Sequence, residues 1–138
     1  MASQLSSYLP PSEGLLPKWL LFISVVSIGN SIQSYMSLKG TREVYAGSSP
    51  SAVTPLSART FGTWTAITSI IRLYGAYNID NKAVYELCMW TFGIAWLHFV
   101  SEWLAFGTAK LGRGLAGPLI VATATGTWML SQWSGYVK

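Results

Sequence analysis

Charge is what this sequence has least of. Lys, Arg, Asp and Glu together make up 10% of its 138 residues, against roughly 25% in soluble domains. A soluble chain of this length needs far more charge to cover its surface, so an ordinary water-facing domain is excluded. Cysteine and histidine are down to one residue each, Cys88 and His98. A single cysteine rules out an internal disulfide and a Cys-rich zinc site, and in its apolar run Cys88 reads as a small buried side chain. A single histidine rules out a histidine-rich di-iron or zinc centre, and even a three-ligand site needs donors beyond His98 and Glu102. The nine Lys and Arg are scattered singly, without the basic run that tracks a phosphate backbone, which argues against nucleic-acid binding. There is no G-x-G-x-x-G or Walker A string after a strand, no G-x-S-x-G elbow and no Cys–His pair at a working spacing. No catalytic residue, metal site or cofactor is expected.

Apolar and aromatic residues fill the space that charge leaves. Aromatics reach 14%, with seven Trp, and the mean hydropathy is +0.37. After a polar, proline-bearing head (1–17) come four long apolar runs, at about 18–38, 58–78, 83–107 and 115–134, each near the ~20 residues that a membrane crossing needs. Head and first run lack the basic start and cleavage site of a removable signal peptide, so the first run is expected to stay as a signal anchor. Transmembrane strands would be half as long and alternating. The expectation is therefore an all-α, polytopic membrane protein, a bundle of four transmembrane helices, with a short tail at 135–138. The one long loop, 39–57, contains Gly40, Gly47, Pro50 and Pro55 and is expected to be irregular. Trp19, Trp103, Trp128 and Trp133 fall near span ends, where interfacial rings belong. Lys39, Arg42, Arg59, Lys110 and Arg113 gather on one side, against Lys18, Lys82 and Lys138 on the other. That bias favours luminal termini.

Charges inside a span cost roughly 2.5–3.5 kcal/mol each on insertion scales, so each asks for a partner. A hairpin of the second and third spans, centred between Asp80 and Asn81, sets Arg59 and Glu102 at equal depth. It sets Arg72 and Glu86 about 4–5 Å apart in depth. Two cross-helix ion pairs are the expectation, with snorkelling of Arg59 and Glu102 to the interface, near helix ends, as the alternative. His98, one turn from Glu102, is read as a helix-packing hydrogen bonder with Glu102 as its only nameable partner. An acid–base pair is the competing reading. In the first span Ser24, Ser27, Ser31 and Ser34 form a seam, flanked by Asn30 and Gln33. Such small hydroxylated residues let helices approach closely, here either within the bundle or against another chain, a second copy included. Gly62 with Ala66, and Ala122 with Gly126, repeat the small-xxx-small spacing.

The strings LPKWLLFIS (16–24), NSIQSY (30–35), LSARTFGTWT (56–65), IRLYGA (71–76), HFVSEW (98–103) and LGRGLAGPL (111–119) resemble the ergosterol biosynthetic protein 28 family, in the same order from about Leu16 to Trp128. Residues 1–15 show no such match. The resemblance implies a non-catalytic, multi-pass protein of the endoplasmic reticulum membrane. Its implied role is to tether the sterol C-4 demethylation enzymes: the sterol C-4 methyl oxidase, the decarboxylating sterol-4-carboxylate 3-dehydrogenase and the 3-keto sterol reductase. Contact with the sterol C-24 methyltransferase is implied as well. The nucleotide cofactors would belong to those partners, and no catalytic residue carries over. The alternative is a sterol- or lipid-binding protein that passes intermediates between the enzymes through an inter-helical groove.

Overall fold

Local chemistry sets where each helix begins. In this computed structural model, which describes residues 8–47 and 49–137, α1 runs Leu15–Met36, directly after Gly14, whose φ of 100° is open to glycine at little cost. The first residues of the polar head, Ser48 and Lys138 lie outside the described residues. A short helix α2 (Lys39–Val44) and a 3-10 turn (Pro50–Ala52) follow, so the loop expected to be irregular carries two ordered turns. Gly40 sits inside α2 rather than breaking it. Helix α3 spans Pro55–Tyr77. Thr54 and Ser57 cap it reciprocally, and Pro55 occupies the first turn, where no N–H is needed. Asn81 caps α4 (Lys82–Val100) by accepting from the Val84 N–H at 3.1 Å. Helix α5 (Arg113–Tyr136) starts after Gly112 and contains Pro118.

At Ser101–Ala105 the backbone of α4 widens into a π-helical turn, closed by the Phe106 N–H on the Ser101 carbonyl at 2.9 Å. Nothing in the residue pattern announces it. Such turns insert an extra residue into an α-helix and are frequent at functional positions.

The described residues are helical without a strand. Two segments, Leu15–Met36 and Lys82–Ala105, are long and apolar enough to cross a membrane, with mean hydropathies of 1.5 and 1.3. Helices α3 and α5 match them in length but are diluted by Ser, Thr and Gly, and α3 also carries Arg59 and Arg72.

The long helices run up and down. Ser31 of α1 reaches Gly62 of α3, and Leu20 lies near Gly75, so these two helices are antiparallel. Trp64 meets His98 and Arg72 meets Thr91, which orients α4 against α3. Tyr85 meets Met129, which places α5 against α4. One end of the bundle, the turn end, holds the start of α1, the 78–81 turn and the end of α5. The other, the loop end, holds α2, the 3-10 turn, the π-turn and residues 107–112. A cluster around Tyr85, Cys88 and Phe92 fills the core near the turn end, and one around Phe99, Leu115 and Ala122 fills it near the loop end.

Close packing and hydrogen bonds hold the contacts between the helices. Such bonds join the long helices. Ser31 Oγ donates to the Gly62 carbonyl at 2.6 Å. Trp19 Nε1 donates to Thr125 Oγ1 at 2.9 Å, joining α1 to α5. The Tyr85 hydroxyl donates to the Met129 carbonyl at 2.6 Å, joining α4 to α5. Two glycines mark close approaches between helices. A Cβ on Gly62 would stand 3.0 Å from the Ser31 carbonyl oxygen and 3.1 Å from Ser34 Cβ, and one on Gly114 would fall inside the Glu43 backbone.

Candidate functional site

The most specific strings converge at the loop end. LSARTFGTWT supplies Phe61 and Trp64 from α3, HFVSEW supplies His98, Phe99 and Glu102 from the end of α4, and LGRGLAGPL supplies Gly114, on which α2 rests. Tyr45, just after α2, completes the group. Its hydroxyl lies 2.6 Å from His98 Nε2. Around them the rings stack edge to face: Trp64 against His98 at 5.5 Å, Phe61 against Tyr45 at 5.6 Å, and Phe61 against Trp64 at 5.2 Å. Edge-to-face packing sets positive ring edges on negative faces, which fixes relative orientation as well as burying area. Burial pushes the Tyr45 phenol above its ordinary pKa, and the nearby Glu102 charge adds to that. The phenol therefore stays protonated and can donate to His98.

His98 and Glu102 do face the same way, yet each has taken another partner. The Glu102 carboxylate accepts the Thr108 hydroxyl. Its backbone carbonyl accepts the Ala109 N–H at 3.0 Å, and the Gly47 N–H donates to the Thr108 carbonyl at 3.1 Å. The π-turn thus pins the 107–109 segment, which in turn pins the end of the α2 loop. The sequence missed Tyr45 and Thr108 because both sit in loops, beyond the reach of helix-register arguments. The phenol of VYAG, among aliphatic and small residues just past a short helix, was the only available signal.

Neither expected ion pair forms. Arg72 Nε donates to Thr91 Oγ1 at 3.0 Å and Nη2 to the Thr91 carbonyl at 3.4 Å, and its guanidinium carbon lies 3.9 Å from the centre of the Phe92 ring. Glu86 lies five residues nearer the turn than Thr91, about 7 Å of rise, and lines an outer groove between α4 and α5. Arg59 and Glu102 do share a depth. Arg59, however, stands roughly 140–160° around α3 from Phe61 and Trp64, the residues that face α4, and it is exposed. Equal depth was read correctly, but depth does not set the face.

The serine seam divides. Ser24, Ser31 and Ser34 are buried. Ser24 and Ser34 return their hydroxyls to the carbonyls of Leu20 and Asn30 on their own helix, and only Ser31 bonds across to α3. Ser27, Asn30 and Ser34 line a cavity of about 380 Å³ that runs along the bundle from Trp19 and Arg72 to Gln33 and Glu43. Its other walls come from α3, α4 and α5, among them Trp64, Phe99 and Val121. His98, Tyr45 and Glu102 line neither this cavity nor the outer groove. No group of three or more His, Cys, Asp or Glu arranged to hold a metal occurs among the described residues.

The family described as Erg28 like protein matches residues 16–127, the bundle from α1 to the last third of α5. The chain belongs to this family. It is 57% identical over 139 residues to ergosterol biosynthetic protein 28 of Candida albicans, covering 100% of both chains. It is 51% identical over 125 residues to the Saccharomyces cerevisiae protein of that name, covering 90% of this chain and 84% of the other. The mouse homologue is 40% identical over 109 residues, covering 79% and 78%. These relatives are named for ergosterol biosynthesis and not as enzymes. No solved structure matches the chain. The family match covers all three strings that meet at the loop end, so the Tyr45–His98 cluster lies within the shared region.

Proposed function

We propose that this chain is a non-catalytic scaffold of the endoplasmic reticulum membrane in sterol synthesis, with α1, α3, α4 and α5 all crossing the bilayer. Its partners are the sterol C-4 methyl oxidase, the decarboxylating sterol-4-carboxylate 3-dehydrogenase and the 3-keto sterol reductase, with the sterol C-24 methyltransferase as a further contact. Holding consecutive enzymes together raises the effective concentration at which an intermediate meets the next one.

The observation that carries this reading is how the loop end is built. Its histidine is engaged by Tyr45 and its carboxylate by Thr108, which stiffens the end, while Lys39, Arg42, Arg59, Lys110 and Arg113 stand exposed around it. A rigid basic rim suits the cytosolic side of a membrane protein and suits docking of partner domains by charge complementarity. The test is affinity purification from detergent extracts with tagged wild-type chain and with Lys39→Glu/Arg42→Glu. The wild type should bring down the oxidase and the dehydrogenase, and the charge-reversed variant less of them. Full assembly of those enzymes in cells lacking the chain would sink the scaffold reading.

A second reading, a lipid-binding protein that passes intermediates between the same enzymes, is favoured by the cavity between α1 and α5.

A further inference from the structure

The cavity has one feature that a simple packing defect lacks. Arg72, which lines it, is 7% exposed, and every partner it has is neutral: the Thr91 hydroxyl, the Thr91 carbonyl and the Phe92 ring. Among the described residues no carboxylate pairs with it. Nη1 makes no hydrogen bond, and it is not among the fully enclosed unsatisfied atoms either. A guanidinium has five N–H donors in a fixed fork, and burying its charge without an anion is expensive. Glu86 lines the separate outer groove, and Glu43 lines the opposite end of the cavity.

The shape narrows what can answer that charge. From Trp19 to Gln33 the cavity follows fourteen residues of α1, about 21 Å. Its walls between the ends are largely aliphatic and aromatic, including Ile23, Val26, Trp64 and Val121. Helices α1 and α5 meet through the Trp19–Thr125 bond near the turn end. Beyond it, Val26 of α1 is exposed at the rim of the cavity, facing what would be lipid. Arg72 lies five residues inside the end of α3 (Pro55–Tyr77), about 7–8 Å from it.

We infer that the cavity binds a membrane-dissolved, steroid-sized amphipath carrying a carboxylate, and that Arg72 selects the acid over the neutral molecule of the same shape. The inference rests on the lipid-binding reading and adds a charge preference to it. Carboxylate and guanidinium match as two parallel N–H to O bonds, and Arg72 still has Nη1 to offer. Thr65 and Thr68, on the same cavity wall, donate their hydroxyls to the carbonyls of Phe61 and Thr65 and keep acceptor capacity for a neighbouring hydroxyl.

The test uses the full chain in neutral phosphatidylcholine nanodiscs, with Trp19 and Trp64 fluorescence as the signal. The probes are a steroid carboxylic acid, the alcohol of the same skeleton, and phosphatidic acid. The acid should bind saturably and roughly tenfold or more tighter than the alcohol, the scale of one charge-assisted hydrogen bond. Arg72→Gln should bring acid and alcohol within about twofold of each other, and Arg72→Lys should restore part of the preference. Val26→Trp, an exposed position that narrows the cavity without touching Arg72, should weaken both ligands, and it serves should Arg72→Gln fail to fold. Equal binding of acid and alcohol by wild type would overturn the charge selection while leaving a lipid-binding protein. Binding of neither would overturn both. Displacement of the acid by phosphatidic acid at equal concentration would assign the charge to phospholipid and overturn the carboxylate preference.

Discussion

The Tyr45 hydroxyl and His98 Nε2 meet at 2.6 Å across 53 positions of chain. This contact ties the segment after α2 to the last α-helical turn of α4. It also accounts for a histidine that helix register alone leaves without a partner other than Glu102. Both groups are half-buried among Phe61, Trp64 and Phe99, where losing one partner leaves the other poorly solvated.

Tyr45→Phe keeps the ring and removes the hydroxyl, and should lower stability in detergent by about 1–2 kcal/mol. In a double-mutant cycle with His98→Ala the losses should not add, since both changes delete one bond. Additive losses, measured by thermal unfolding, would dissolve the pair.

A second cycle separates two partners for Glu102. Glu102→Gln combined with Thr108→Val should show a coupling of about 0.5 kcal/mol or more, whereas Glu102→Gln combined with Arg59→Gln should be additive. Coupling to Arg59 instead would restore the ion pair that equal depth suggests.

Gly62→Ala should cost about 1–3 kcal/mol, because its Cβ meets the Ser31 carbonyl and the Ser34 side chain at 3.0–3.1 Å. Gly29→Ala, where nothing lies within 4 Å, should be neutral or gain up to about 1 kcal/mol from helix propensity. Ser31→Leu should disrupt the same interface. Equal stability of both glycine variants would remove the close α1–α3 approach.

Gly114→Ala should push α2 off α5, since the added Cβ would fall inside the Glu43 backbone. Trypsin cleavage after the exposed Lys39 and Arg42 should then be faster than in wild type, the sign of a segment opening locally. Unchanged cleavage kinetics would show that α2 is held by other contacts.

Much of the helical fold was legible because apolar runs of helix length leave few alternatives, whereas Pro55, expected only to break the loop, opens α3 three residues before position 58. The relative depths of α3 and α4 were legible too: Trp64 does lie level with His98. What failed was the azimuth. Arg59 and Glu86 point to faces that only the packed helices define, so ion pairs inferred from depth were replaced by Thr91 for Arg72 and Thr108 for Glu102. The serine seam was visible as a pattern, but its division into Ser31 at the α3 contact and Ser27 and Asn30 at a cavity wall depends on where α5 sits. Tyr45 was unreadable for a simpler reason: a loop has no period, so nothing in the sequence says what it will touch.

The π-turn at Ser101–Ala105 has a consequence for how the chain tolerates length changes. One extra residue there sets the following backbone about 100° out of phase with the α-helix before it. Deleting a single residue between 101 and 105 would let the α-pattern run straight through, swinging Phe106 and Thr108 around the axis by that angle. A lost residue in the neighbouring exposed 110–112 segment would merely shorten a connection. The helix end therefore behaves like a keyed joint, in which residue count matters more than residue identity.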